Sequence, residues 1–583
     1  MQKSILKNNS IAILLGALML STPSLANDKN NTLSTDNTPT QIKEIDESTV
    51  IKTQYGLIKG KIDKINNVVV WTGIPYAKTP TGELRWKKPV DPDKWDGILN
   101  TTKASNIAFQ LSENKIIGSD DCLNLNIYRP NNKTTNLPVI VYIHGGNNQV
   151  GKAEEITGNT FVNDVDAIFI SINYRLGPLG FNPLPALQTG DKLEDSGNYA
   201  LLDIAKSLDW IKANIVDFGG DPNNITVSGF SAGGRDVMAM LISPIFKDKF
   251  QKAISFSGGM TIADKNDSVK VFAKAIAPLA VQDKIKQTEE EAYNWLLTNQ
   301  SDVKKYLYSL SSERLVSLMG NAGIRMSVFP HLYNDGYVIP NEGFNTSKYN
   351  SVPLIMLTGT GEFSLFAKSS PYFSASFEKG LPTGKKLTEF KFANKYGSHL
   401  YELFNVADSA EKMEPYYHAN IYGMEIKFGE DEKTVGTTMG LYGAFHGVFL
   451  PLMDSNSKNY NWFIGDAYKT KGAKQLSTIY KKYIHNFIYS GNPNGNNLVY
   501  WDNWSQDNKK ANKALLYLTA DKNEAIISMG GQSYTYQEVI DKMEKDQSIS
   551  PESKKTIISQ VLNGRWFSQQ LDNQYKNQSL WIK

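Results

Sequence analysis

A single cysteine, Cys122, in 583 residues has no partner for a disulfide within the chain, which excludes a small cross-linked scaffold. Charge of neither sign is in real excess, with 62 Lys and Arg against 59 Asp and Glu, and no basic block is interleaved with aromatics. A nucleic-acid backbone is therefore not an expected partner. Histidine is scarce, six in all, and the sequence has no His-Glu-x-x-His, no cysteine cluster and no glycine loop ending in Gly-Lys-Ser/Thr. No metal and no nucleotide cofactor is implied. No apolar run reaches the ~20 residues that span a bilayer. Internal repeats and Pro-rich or Ser-rich linkers are missing after residue 48, which argues against a string of domains.

With 41% apolar, 11% aromatic and 21% charged residues, the chain has the composition of an ordinary globular protein with a large core. Its start has the pattern of an export signal. Lys3 and Lys7 precede the apolar run from Ile11 to Leu20, and Ser24-Leu25-Ala26 offers small residues where a signal peptidase cleaves. Residues 1–26 are expected to be removed, giving a periplasmic or secreted protein; the rival reading is an uncleaved anchor. No cysteine sits at the cleavage site, so a lipid anchor is not supported. Residues 27–48, rich in Asn, Thr, Asp and Lys, are predicted to be a disordered polar leader.

From Thr49 the pattern alternates as strands do, with Tyr55-Gly56 as a turn, and predicts an opening hairpin. Continuous apolar runs follow at Val139-Ile140-Val141-Tyr142-Ile143, Ala167-Ile168-Phe169-Ile170-Ser171-Ile172, Ile225-Thr226-Val227 and Val352-Pro353-Leu354-Ile355-Met356-Leu357. Such runs suit strands buried on both faces. Between them, Leu201, Ile204, Leu208, Ile211 and Ile215 recur at helical spacing. Alternating strands and helices predict an α/β fold with one large, mostly parallel central sheet flanked by helices. A helical insertion is expected over residues 262–320 and a closing helical segment over residues 533–567. The expected organisation is one domain, residues 49–567, with a C-terminal tail at 568–583.

One segment carries chemistry. Gly229-Phe230-Ser231-Ala232-Gly233 lies between a predicted strand and a helix expected over residues 235–242. In that context Gly-x-Ser-x-Gly is a nucleophile elbow: the sharp turn exposes the serine, and side chains at the two glycine positions would not fit. The competing reading is a serine that merely caps the helix. Acyl transfer also needs donors for a tetrahedral oxyanion, and His144-Gly145-Gly146-Asn147 follows a predicted central strand. Its backbone, with that of Ala232, would supply the hole, making Gly146, Asn147 and Ala232 the candidate donors. His144 precedes the serine, whereas the chain order for this kind of site is Ser, acid, His, so it is read as a loop-shaping residue.

The ordered motifs resemble those of the type B carboxylesterase family, the branch of α/β-hydrolases that includes cholinesterases and bacterial para-nitrobenzyl esterases. They are Gly73-Ile74-Pro75-Tyr76-Ala77, Gly82-Glu83-Leu84-Arg85-Trp86, Asp120-Asp121-Cys122-Leu123-Asn124, Asn173-Tyr174-Arg175-Leu176-Gly177, Gly197-Asn198-Tyr199-Ala200-Leu201-Leu202-Asp203 and Phe218-Gly219-Gly220-Asp221-Pro222, followed by the elbow. The resemblance covers roughly residues 49–567 and implies an α/β-hydrolase fold. It also implies a triad of Ser231, Glu362 in Gly361-Glu362-Phe363-Ser364, and His446 in Ala444-Phe445-His446-Gly447. Asp335 in Asp335-Gly336-Tyr337 is the second choice for the acid, otherwise a turn residue. His331, His399, His418 and His485 are read as structural.

Several positions depart from the family pattern. Phe230 stands where a glutamate usually precedes the nucleophile, and Phe449 replaces an acidic residue just after the histidine. Asn147 replaces the third glycine of the oxyanion loop, and Phe363 a glycine after the acid. The usual partner of Cys122 is absent near Phe109, and the loop between them lacks the tryptophan on which cholinesterases seat choline. Cys122 is expected to be a small buried hydrophobe on a strand. The resemblance implies a serine carboxylesterase acting on small neutral esters rather than quaternary ammonium esters. Two alternatives stay open: a catalytically impaired or non-catalytic binding or adhesion member of the fold, and a lipase-like esterase for longer acyl chains. Oligomeric state is not readable from the sequence.

Overall fold

A computed structural model describes residues 49–321, 330–378, 380–531 and 534–576. The predicted signal peptide and leader lie outside these residues. The opening hairpin forms as expected: β1 (Val50–Lys52) pairs antiparallel with β2 (Leu57–Lys59), and β5 (Ile98–Asn100) completes a small three-stranded sheet. The second arm of the hairpin is split at Gly60, after which β3 (Lys61–Asp63) turns away to pair with β4 (Val68–Pro75). The region between Phe109 and Cys122 folds as a short two-stranded ribbon, β6 (Gln110–Ser112) with β7 (Lys115–Ile117).

The core is one sheet of eleven strands. Besides β3 and β4 it contains β8 (Asn124–Pro130), β9 (Leu137–Ile143), β10 (Ile168–Ile172), β11 (Gly220–Phe230), β12 (Lys252–Phe256), β13 (Leu354–Gly359), β14 (Ile421–Ile426), β15 (Leu515–Ala520) and β16 (Ala525–Gly530). Their spatial order is β16-β15-β14-β13-β12-β11-β9-β10-β8-β4-β3. All pairings from β10 across to β15 are parallel, and antiparallel pairs occur only toward the two edges. Every residue of β9, β10, β12, β13 and β14 is buried, the burial that continuous apolar runs predict for strands covered on both faces.

The predicted apolar stripe is real: Leu201, Ile204, Leu208 and Ile211 are buried along the helix Tyr199–Asn214. The insertion holds helices Lys265–Gln282, Glu289–Leu296, Ser301–Ser309 and Ser312–Ser317. The closing segment holds Tyr536–Lys545 and Pro551–Ile557, and the tail opens with a further helix, Gln569–Tyr575. Two family motifs meet in the core. Arg175 Nε and Nη2 donate to the two Asp203 carboxylate oxygens at 2.8 and 2.7 Å, and the Arg175 amide adds a third bond at 3.1 Å. Cys122 is buried, but it lies just before β8 rather than on a strand, and burial pushes its thiol pKa up.

The sheet order decides where the site is. Neighbouring strands β9, β11, β12 and β13 end at Ile143, Phe230, Phe256 and Gly359, and their carboxyl ends lead into His144, Ser231, Ser257 and the loop of Glu362. Open parallel sheets present their sites at this edge.

Candidate active site

Ser231 follows the last residue of β11 and caps the helix Ala232–Met240, with φ 56° and ψ −113°. That backbone conformation is strained for a residue with a side chain. It is held from outside, since the Ser231 amide donates to the Phe256 carbonyl at 2.8 Å. The glycines either side are required by close approach: a Cβ on Gly229 would lie 2.2 Å from the Gly233 oxygen, and one on Gly233 2.1 Å from the Ile143 oxygen. The helix starts at Ala232, three residues earlier than the apolar pattern indicates, because the two glycines after it carry no hydrophobic signal. As first residue of the helix, Ala232 has no intrahelical acceptor for its N–H, and the positive end of the helix points into the site.

Glu362 is fully buried and its carboxylate is anchored at one oxygen. Oε1 accepts from Ser257 Oγ at 2.5 Å, from the Gly359 amide at 2.7 Å and from Thr358 Oγ1 at 3.3 Å. Oε2 accepts a short hydrogen bond from His446 Nδ1. The loops of the two residues run side by side, joined by a bridge between Gly361 and Phe445. With Nδ1 carrying the proton toward Glu362, His446 Nε2 holds the lone pair. Nε2 is buried and has no hydrogen-bond partner among the described residues. The imidazole is enclosed by rings, with centroids of Phe230, Phe366 and Tyr401 at 4.7, 5.1 and 5.5 Å. Asp335, the other candidate acid, is a turn residue: its carboxylate accepts from the amides of Tyr337, Val338 and Ile339 at 3.0, 2.8 and 2.9 Å.

The loop after β9 packs on the elbow; a Cβ on Gly145 would lie 3.3 Å from Ser231 Cβ. Gly146, Asn147 and Asn148 all have left-handed backbone, with φ of 100°, 63° and 55°. The Gly145 amide is occupied, donating to Glu155 Oε2 at 2.9 Å, so the expected donors Gly146 and Asn147 are the ones beyond it. Burial raises the Glu155 pKa to about 7 and lowers that of His144 to about 4. His144 Nδ1 donates to the Gly145 carbonyl at 2.8 Å and its ring stacks on Tyr174 at 4.5 Å, which suits a residue that shapes the loop.

The departures from the family pattern are accommodated by packing. Phe230 and Phe449 meet edge to face at 5.3 Å, and Phe449 stacks on Phe256 at 4.3 Å. Phe363 fills space opened by Gly397, where a Cβ would lie only 2.2 Å from its ring. Four neighbours of the site carry no motif in the sequence: Ser257, which anchors Glu362; Tyr401, whose ring stacks on the His446 imidazole at 5.5 Å; Arg235; and Asp236. Only the last two left a signal, a charged pair near the start of a helix otherwise destined for the core.

Comparison with known proteins bears on the family and the fold. The model of the family described as Carboxylesterase family matches residues 47–420. A para-nitrobenzyl esterase of Bacillus subtilis (strain 168) is 38% identical over 243 residues, 40% of this chain and 48% of that protein. That alignment spans about half of the Bacillus protein, whereas carboxylesterase 1D of Rattus norvegicus aligns at 29% identity over 78% of this chain and 88% of its own length. Among solved structures, a PNB esterase superposes with a TM-score of 0.63 at 26% identity, covering 84% of this chain and 99% of that one. The chain belongs to the carboxylesterase family, carboxylic ester hydrolases built on the α/β-hydrolase fold.

Proposed function

We propose that the protein is an exported serine esterase that cleaves small neutral carboxylic esters through an acyl-enzyme on Ser231, with His446 as general base and acid and Glu362 as its orienting carboxylate. The observation that carries this reading is a strained serine elbow whose Phe230 packs on the His446 imidazole, ring centroids 4.7 Å apart, while the Nδ1 side of that imidazole is held by a buried carboxylate.

In this mechanism His446 Nε2 takes the Ser231 proton as Oγ attacks the ester carbonyl. Glu362 keeps the imidazole in the Nδ1–H tautomer and stabilises the imidazolium that forms. The negative charge on the carbonyl oxygen is met by the amides of Gly146, Asn147 and Ala232. Collapse expels the alcohol, which leaves with the proton from His446, and water repeats the cycle on the acyl-enzyme.

The neutral-ester reading is supported by the ring-lined wall. Phe230 packs on the imidazole and is backed by Phe449 and Phe256, so an apolar ring stands where the family's glutamate would favour a cationic alcohol. Export rests on the pattern of residues 1–26; among the described residues, no helix is long and apolar enough to cross a membrane. The test is hydrolysis of short-chain aryl esters by residues 27–583 alongside Ser231→Ala. Loss of nearly all activity in the variant is expected, and unchanged hydrolysis would overturn the assignment of Ser231.

A further inference from the structure

The loop after β9 holds two successive asparagines in left-handed backbone, a conformation asparagine tolerates better than most residues but less freely than the glycine that Asn147 replaces. Asn147 and Asn148 are consecutive non-glycine residues in the left-handed region, where the Cβ of an L-residue crowds the following carbonyl. Contacts from outside the loop hold it there. Asn148 is tied at both ends of its amide, Nδ2 donating to Asp236 Oδ1 at 2.8 Å and Oδ1 accepting from Tyr174 at 2.8 Å. Asn147 is tied by its Oδ1, which accepts from Arg235 Nη2 at 2.9 Å. Arg235 and Asp236 are adjacent residues on the helix that begins with Ala232.

Arg235 is a costly residue to put there. It is 0% exposed, and its guanidinium lies over the Trp566 ring at 4.4 Å. A buried guanidinium carries a large desolvation cost. A cation near the start of a helix also opposes the helix dipole. Packing alone would be served as well by methionine. What the guanidinium supplies is a rigid, directional donor aimed at the one side chain that replaces glycine in the oxyanion loop.

We propose that Arg235 is a positioning residue that fixes the Asn147 amide for the oxyanion, so that the nucleophile helix and the oxyanion loop, carrying the Ala232 and Asn147 donors, move as one unit. This inference rests on the esterase reading of the site. It makes the asparagine at 147 and the arginine at 235 a matched pair: the arginine matters because the asparagine is there.

The experiment is a double-mutant cycle on short-chain aryl esters, using Arg235→Met, Arg235→Lys, Asn147→Gly and Arg235→Met/Asn147→Gly in the full mature chain. Arg235→Met is expected to lower kcat about tenfold with KM changed less than about twofold, since the oxyanion exists only in the transition state. Arg235→Lys should recover part of that loss. In the Asn147→Gly background, replacing Arg235 should cost less than about twofold. Affinity for a trifluoromethyl ketone, which forms a tetrahedral adduct, should fall in parallel with kcat. An equal loss of kcat on replacing Arg235 in the wild-type and Asn147→Gly backgrounds, or a loss confined to KM, would overturn the proposal. Labelling of Ser231 by a fluorophosphonate in each variant separates this outcome from failure of the esterase reading, in which the wild-type protein would itself remain unlabelled.

Discussion

Phe230 and Phe449, two positions where the family pattern has acids, lie edge to face at 5.3 Å, and Phe230 packs on the His446 imidazole at 4.7 Å. The two replacements are one event in the folded chain: losing either carboxylate alone would leave the other buried beside an apolar wall. Phe230→Glu should therefore be worse than neutral. An unpaired carboxylate in this cage stabilises the imidazolium, so the acid limb of the pH–rate profile should move to higher pH and kcat/KM on neutral esters should fall about tenfold or more. A pH–rate series on the variant checks both; an unmoved acid limb would contradict the close approach.

Glu362 is held by Ser257, Gly359 and Thr358 so that one oxygen faces His446. Glu362→Gln preserves the volume but presents the wrong partner for Nδ1–H and removes the charge that balances the imidazolium. A fall in kcat on the order of 10⁴-fold is expected, with little change in thermal stability. Steady-state kinetics beside a melting curve distinguishes this from unfolding.

Arg175 and Asp203 form a buried, doubly bonded ion pair in the core. Asp203→Asn leaves the guanidinium charged and unbalanced there. A destabilisation of about 3–5 kcal/mol is expected in denaturant titrations, while the fraction that remains folded keeps its Ser231 chemistry.

Burial lifts Asp236 from its ordinary 3.8 and Glu155 from 4.5, each to about 7. Between about pH 4 and 7 the unfolded chain has released these protons and the folded chain has kept them, so stability falls as pH rises through that window. Asp236→Asn and Glu155→Gln keep the acceptors for Asn148 and Gly145 without the charge. Their melting temperatures should decline less between about pH 5 and pH 8 than that of the parent protein. A decline as steep as the parent's would show that neither acid is protonated in the folded state.

The sheet and the elbow were legible in the sequence because both are written locally. Runs such as Val139 to Ile143 suit strands buried on two faces, and the glycines around Ser231 mark a turn with no room for side chains. Glu362 and His446 were legible only through resemblance, since no local pattern marks either; it takes the adjacency of β12 and β13, and the loop beside them, to bring Ser257, Glu362 and His446 together. The effect of the departures could not be read at all. Phe230 and Phe449 are far apart in the chain, and nothing in the sequence says that they touch. Arg235 and Asn147 are likewise joined only by the packing of the helix after Ser231 against the loop after β9.

Activation of Ser231 as a nucleophile by His446 underlies every step of the proposed reaction. Intact-mass and peptide mass spectrometry after exposure to a fluorophosphonate tests it directly. One adduct is expected, on the peptide containing Ser231, absent in Ser231→Ala and formed at least about a thousandfold more slowly in His446→Ala. An adduct at another residue, or none on the folded wild-type protein, would contradict the account.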